Sequence, residues 1–319
     1  MTGFHYLSDQ VLESVGISQQ EIADAIESAL LAQAAGEIWT APKAAVLPGD
    51  GRYMMTTLSV SDAPQVIAVK AVSVSPRNPD RGLSAINGAI TLFDSETGVL
   101  KAVLDANWVT AVRTAGLSAV AARRLADPKS RTIAFVGCGV QAHSHLDAFA
   151  AMFPLAEVRA VGRGQANIER LCKAARDRDL EARACTDPRE ALDGADLVVT
   201  SVTLNYDTEP FLDARWLKAG AFAAITDLGI PWHKEGMPAF ANIVIDDRVQ
   251  EAASPTPLVD PALVTCDLKE LVSGNADAAF APDRRACFIF RGIAIGDFAI
   301  AALGYERAMA KGVGTLVEG

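Results

Sequence analysis

Paired cysteines, long apolar runs and basic clusters are all missing from this 319-residue chain. The five cysteines, Cys138, Cys172, Cys185, Cys266 and Cys287, are odd in number and scattered, with no C-x-x-C pair. That spacing excludes a zinc ribbon and a dithiol redox motif and predicts buried, reduced thiols. No apolar stretch approaches the roughly eighteen residues that cross a bilayer. No basic segment followed by an apolar one opens the chain, so a cytoplasmic protein without a membrane partner is expected. Lys and Arg number 29 against 39 Asp and Glu, a formal charge of -10, and nowhere gather into a patch. Such a surface repels phosphate backbones, which argues against nucleic acid as a partner. There is no P-loop and no nucleophile elbow, so phosphoryl and acyl transfer have no support.

What the chain does have is hydrophobic residues, 50% of the total, enough for one large core or two moderate ones, and two domains are expected. Ser18 to Glu21 has the pattern of a capping box ahead of Ile22, Ile26, Ala29 and Leu30, which predicts a first helix. Residues 53–58, 66–74, 89–93 and 99–104 read as strands, the last two joined in a hairpin by Asp94-Ser95-Glu96-Thr97-Gly98. From Asn107 to Leu125 the apolar spacing is helical, and Asp127-Pro128 stops it. Short apolar runs then follow at 132–136, 158–161, 182–185, 197–202, 222–225 and 243–245, with helical stretches beginning near Val140 and Ala166. This alternation predicts a parallel, doubly wound α/β sheet. Beyond Asp267 a helical or mixed segment is expected, closed by a long helix over 293–309.

The run 132–136 leads straight into Gly137-Cys138-Gly139-Val140-Gln141-Ala142. A strand, a glycine turn and a helix in this order place unpaired N–H groups and the positive end of a helix dipole at one point, which suits a dinucleotide pyrophosphate. Gly137 permits the tight turn, Gly139 the close approach of phosphate, and Ala142 is a small residue where helix and strand pack. The next strand ends at Gly162-Arg163-Gly164, without the carboxylate that would accept from a ribose hydroxyl. A guanidinium at Arg163 can pair with a 2'-phosphate, so NADP(H) is preferred and NAD(H) remains possible; the alternative is a solvated turn arginine.

Two cations sit where the pattern wants apolar side chains. Lys70 shares a strand face with Val66, Ala68, Val72 and Val74, and the other face, with Ile67, Val69 and Ala71, is apolar too. A strand buried on both sides is expected there, and its lysine is costly unless an anion or reacting group meets it. Arg113 lies on the helical stripe of Val109, Gly116 and Leu117. Together they suggest a substrate carboxylate, which Arg grips with two prongs; a salt bridge to an internal Asp is the alternative. Asp227, at the carboxyl end of the run 222–225, stands where open α/β sheets place ligands and could exchange a proton with a nitrogen, although Asp is also a common turn residue. His143 and His145, two apart on a helix, diverge and have no third ligand, so no metal is expected.

Taken with Pro42-Lys43, Val69-Lys70-Ala71-Val72, the stretch Gly82 to Gly88, Val112-Arg113-Thr114-Ala115, Val244-Ile245-Asp246-Asp247 with Gln250, and Gly292-Ile293-Ala294-Ile295-Gly296-Asp297, these motifs resemble the ornithine cyclodeaminase/mu-crystallin family over nearly the whole chain. The resemblance implies a Rossmann dinucleotide-binding domain, 126–290, inserted into a discontinuous α+β substrate and dimerisation domain made of 1–125 and the returning helix at 291–319. It implies a homodimer acting on a small amino or imino acid. Lys43, Lys70 and Arg113 would hold the substrate carboxylate, with Lys70 and Asp227 catalytic. The cofactor would be met by Arg113, Thr114, Gly137, Gly139, Val140, Gln141, Arg163, Thr203 and Asp227. The implied chemistry is hydride transfer at an alpha carbon, with NADPH reduction of a cyclic ketimine such as pyrroline-2-carboxylate as the leading expectation. Ornithine cyclodeamination with recycled NAD+, an alanine-type dehydrogenase and a non-catalytic NADPH-binding crystallin-like protein are the alternatives. Asp227-Leu228-Gly229-Ile230-Pro231-Trp232 departs from the Asp and Pro-Gly-Lys-like turn of deaminating members.

Overall fold

The computed structural model describes residues 3–319, with the backbone alone at Pro79. The chain opens with β1 (Phe4–Leu7), α1 (Asp9–Ser14) and α2 (Gln19–Ala34), the last started by the expected reciprocal bonds between Ser18 and Glu21. Four antiparallel neighbours follow, β2 (Ile38–Val46), β3 (Tyr53–Asp62), β4 (Gln65–Val74) and β5 (Ile86–Phe93), and then β6 (Leu100–Asp105) across the predicted hairpin. Sequence reading places neither β1 nor β2. The first is only four residues long, and the second carries Pro42 within a register shift between Ala41 and Ala44, as an edge strand tolerates. Helix α3 (Ala106–Leu125) follows directly.

A parallel sheet comes next, as the alternating pattern requires. Strands β7 (Thr132–Val136), β8 (Glu157–Val161) and β9 (Glu181–Ala184) alternate with α4 (Val140–Ala150), α5 (Gln165–Arg176) and α6 (Pro188–Leu192). Then come β10 (Leu197–Thr200), β11 (Phe222–Ile225), β12 (Phe240–Ile245), α7 (Arg248–Ala252), β13 (Cys266–Asp267), α8 (Leu268–Val272) and β14 (Arg285–Ile289). The order across the sheet is β13-β12-β14-β11-β10-β7-β8-β9. Of the helical or mixed alternatives expected beyond Asp267, the segment is mixed, with α8 followed by strand β14. Its five residues pair with β11 and β12 in the middle of the sheet, and so short an apolar run carries no period that separates strand from helix.

The chain closes with α9 (Ala294–Lys311), capped by left-handed Gly312, and β15 (Thr315–Val317). Strand β15 pairs with β1, giving a second sheet of order β15-β1-β6-β5-β4-β3-β2. Helix α9 lies against α2 and against β2 to β5. Only one face of β4 is buried: Val66, Ala68, Lys70 and Val72 turn inward, while Ala71 on the opposite face is exposed. The expectation of burial on both faces is thus corrected, because the helices cover this sheet on one side. Two compact units result, one running to Arg113 and including Ile293–Gly319, the other Thr114–Gly292.

Candidate active site

In the unit built on the mostly antiparallel sheet, alternation along β4 aims Lys70 at the covering helix α9, whose first turn contains Asp297. Lys70, Arg113 and Asp297 are all buried. Lys70 Nζ donates to Asp297 Oδ1 at 2.6 Å and to Thr110 Oγ1 at 3.3 Å, and Thr57 Oγ1 donates to Asp297 Oδ2 at 3.2 Å. Arg113 Nε lies 3.0 Å from the same Oδ1. Its N–H does not aim along that line and makes no hydrogen bond, so the attraction is between charges rather than a directed bond. The expected alternative of an internal Asp is therefore met, but one carboxylate serves two buried cations, and the group retains a surplus positive charge.

Burial pushes the Lys70 ammonium down to about 8, with Asp297 opposing and Arg113 reinforcing the shift. Burial alone would raise the Asp297 carboxyl, yet the charges of Lys70 and Arg113 outweigh it and hold the group below its ordinary value. The position of Asp297 in the first turn of α9 adds the favourable end of a helix dipole. Half-buried Lys43 on β2 also acts electrostatically on both Lys70 and Asp297.

The parallel-sheet unit carries the glycine turn. Gly137 adopts φ +92°, and a methyl there would sit 2.5 Å from the Ser201 carbonyl oxygen. A methyl at Gly139 would meet nothing within 4 Å; that space lies at the amino end of α4, which has no side-chain cap. Open room beside uncapped N–H groups of Val140 and Gln141 fits a pyrophosphate. Gly139→Ala is accordingly expected to leave the unfolding midpoint unchanged while weakening dinucleotide affinity at least about tenfold, since the methyl takes the room of a phosphate. Equal affinity by fluorescence titration would remove the turn from the cofactor site.

The start of α4 is also tied from behind. His145, fully buried, sits 2.7 Å from the Gln141 carbonyl through Nδ1 and 2.9 Å from Ser118 Oγ through Nε2. Burial lowers its pKa to about 4. The neutral ring therefore carries its proton on Nδ1, facing the carbonyl, and accepts from Ser118. His143 and His145 belong to no metal-binding cluster among the described residues. Thr114 is buried in α3; Arg163 and Thr203 are exposed after β8 and β10.

Asp227 follows β11, beside β10, and is buried. Thr200 Oγ1 donates to its Oδ1 at 3.0 Å and the Val202 N–H to its Oδ2 at 3.1 Å. Burial nevertheless raises its pKa to about 6, with those two donors opposing. Ser201 Oγ, between them in sequence, donates to the Gly137 carbonyl at 3.2 Å, so the acid and the phosphate turn share one strand end. A surface hollow of about 790 Å3, lined by Lys129, Arg131, Glu157, Glu181, Asp196 and Lys218 among others, lies at the amino ends of the strands. That end is opposite to where open α/β sheets bind ligands. Sequence reasoning missed Asp297, Thr57, Thr200 and Trp232 as parts of these constellations.

A family model described as the ornithine cyclodeaminase/mu-crystallin family matches residues 7–312. The chain is 32% identical to the ketimine reductase mu-crystallin of Rattus norvegicus over 252 residues, 77% of each protein. It is 28% identical to the alanine dehydrogenase of Archaeoglobus fulgidus over 324 residues, 98% of this chain and 97% of that one. Among solved structures, it resembles the Thermococcus litoralis Delta(1)-pyrroline-2-carboxylate reductase in complex with NADH and L-proline, with a TM-score of 0.90, 23% identity and coverage of 98% and 100%. An archaeal alanine dehydrogenase dimer with bound NAD follows, with a TM-score of 0.87, 26% identity and coverage of 99% of each chain.

Proposed function

From the premise that this chain belongs to the ornithine cyclodeaminase/mu-crystallin family, we propose that it is an NAD(P)-dependent reductase of small cyclic imino acids such as pyrroline-2-carboxylate. The observation that carries this reading is the buried group of Lys70 and Arg113 sharing Asp297, whose surplus positive charge calls for a carboxylate. The reduced nicotinamide, when bound, supplies hydride to the imine carbon. Lys70 and Arg113, with Lys43, bind and orient the substrate carboxylate. Asp227 in its protonated form gives a proton to the imine nitrogen, a task for which a carboxyl raised to about 6 is suited. The 32% identity to a ketimine reductase supports reduction over deamination.

Thr114, Gly137, Gly139, Val140, Gln141 and Thr203 are assigned to the dinucleotide in this reading, with Arg113 and Asp227 toward its nicotinamide end. Exposed Arg163, at the end of β8 where a carboxylate would select NADH, is assigned to a 2'-phosphate. NADPH is therefore expected to bind at least about tenfold tighter than NADH, with the gap closing in Arg163→Ser; tighter NADH binding would refute the assignment. The unit to Arg113 with Ile293–Gly319 is assigned to substrate, and a homodimer is assigned because Trp39, Val46, Met54 and Leu58 are exposed on the outer face of its sheet. One panel tests the function. Steady NADPH oxidation at 340 nm with pyrroline-2-carboxylate is the expected result. Ammonia released from ornithine without net absorbance change would instead establish the cyclodeaminase, and inertness toward the whole panel a binder.

A further inference from the structure

Asp227 is held by a second layer that the proposed reaction does not itself require. Trp232 is buried, seated edge-on against Phe240 with ring centroids 5.8 Å apart, and its indole Nε1–H donates to Thr200 Oγ1 at 3.2 Å. An indole can only donate and a carboxylate can only accept, so the direction of the whole chain is fixed. Trp232 takes one of the two lone pairs of the Thr200 hydroxyl, and the single hydroxyl proton goes to Asp227 Oδ1. The other oxygen, Oδ2, already accepts from Val202 N–H. The groups facing Asp227 within its unit are Thr200 from β10 and the backbone N–H groups of Val202, of Asp227 itself and of Gly229 in the turn after β11. All are donors and none is charged.

We infer that Trp232 and Thr200 are positioning residues that lock the hydrogen-bond direction at Asp227, and so determine when this acid releases and regains its proton. The physical reason lies in what the ionised acid gains. Protonation takes the charge off the carboxylate and makes its oxygens weaker acceptors for the Thr200 hydroxyl and the Val202 N–H, while the indole N–H, donating into that hydroxyl, polarises it and strengthens its bond to the ionised acid. The chain therefore favours the ionised form and works against the burial that favours the neutral one. Removing the indole N–H weakens the Thr200 hydroxyl as a donor to the ionised acid; removing the hydroxyl takes that donor away. Both changes shift the balance toward the neutral acid.

This inference rests on the proton role proposed for Asp227, and its test separates the two. Protein without cofactor, labelled with 13C at the aspartate side-chain carboxyl carbons, is titrated by NMR, with Asp227 assigned from the signal that Asp227→Asn deletes. The midpoint is expected to rise by about half a pH unit in Trp232→Phe and by about one in Thr200→Val, with Thr200→Ser keeping the wild-type value. In the pH profile, the fall of kcat is expected to move with these midpoints while KM for the imine at low pH stays fixed. A Trp232→Phe midpoint equal to or below wild type overturns the inference. If that variant does not fold, Thr200→Val titrating like Thr200→Ser overturns it instead. Full turnover in Asp227→Asn would remove the proton role and leave the order of midpoints standing.

Discussion

Asp297→Ala is expected to lower the stability of the fold by about 3 kcal/mol, the cost of leaving buried cations without their counter-ion. Asp297 is the carboxylate that Lys70 and Arg113 share, and Arg113 cannot escape by losing a proton. Lys70 can. Its pKa, already pushed to about 8 by burial, falls further once the carboxylate is gone, so at neutral pH it sheds its proton and limits the loss. The sign of the wild-type dependence follows. An ammonium whose folded pKa lies below its unfolded 10.5 leaves the folded state with fewer protons between about 8 and 10.5. Lys70 therefore adds stability as pH rises through that window. The double variant Lys70→Met with Asp297→Ala removes one cation together with the anion, and its loss should fall short of the losses of the two single variants added together. Urea unfolding of both single variants and the double variant measures this, and a double loss equal to the sum of the two single losses would show that the pair is not energetically coupled.

Asp227→Asn is expected to reduce kcat for imine reduction by a factor of about 100 to 10,000, the usual contribution of a positioned general acid. An amide keeps the shape but has no acidic proton to give. In the wild-type protein only the neutral carboxyl donates, so the rate should be level below about pH 6 and fall about tenfold for each pH unit above it. The Asn variant should lose that limb. Turnover within a factor of about two of wild type would assign the proton to another donor, such as water.

Much of this was legible in the sequence because it depends on local chemistry. The capping box at Ser18, the glycine turn with its strand and helix, and the alternating runs of the parallel sheet each report a backbone requirement that a few neighbouring residues satisfy. Lys70 and Arg113 stood out because charge interrupts apolar stripes. The same reasoning applied to Ile293-Ala294-Ile295-Gly296-Asp297-Phe298 would have singled out Asp297, a carboxylate inside an otherwise apolar first turn. The partnership itself spans 227 residues from Lys70 to Asp297, and no periodicity encodes a contact at that separation. Thr200 and Trp232 were hidden for a different reason. Thr at the end of an apolar strand and Trp in a turn are both ordinary, and only the fold brings the indole N–H onto the hydroxyl. Strand β14 was missed because Arg285 to Ile289 is too short to display a period, although it lies in the middle of the sheet.

The most direct test of the central claim, that a buried cationic pair recognises a carboxylate, is to compare L-proline with L-prolinamide as competitive inhibitors of imine reduction, in wild type and in Lys70→Met. Proline is expected to bind about 100-fold tighter than the amide in the wild-type protein, with most of that difference lost in the variant. Equal inhibition by acid and amide, or a preference that survives the loss of Lys70, would contradict it.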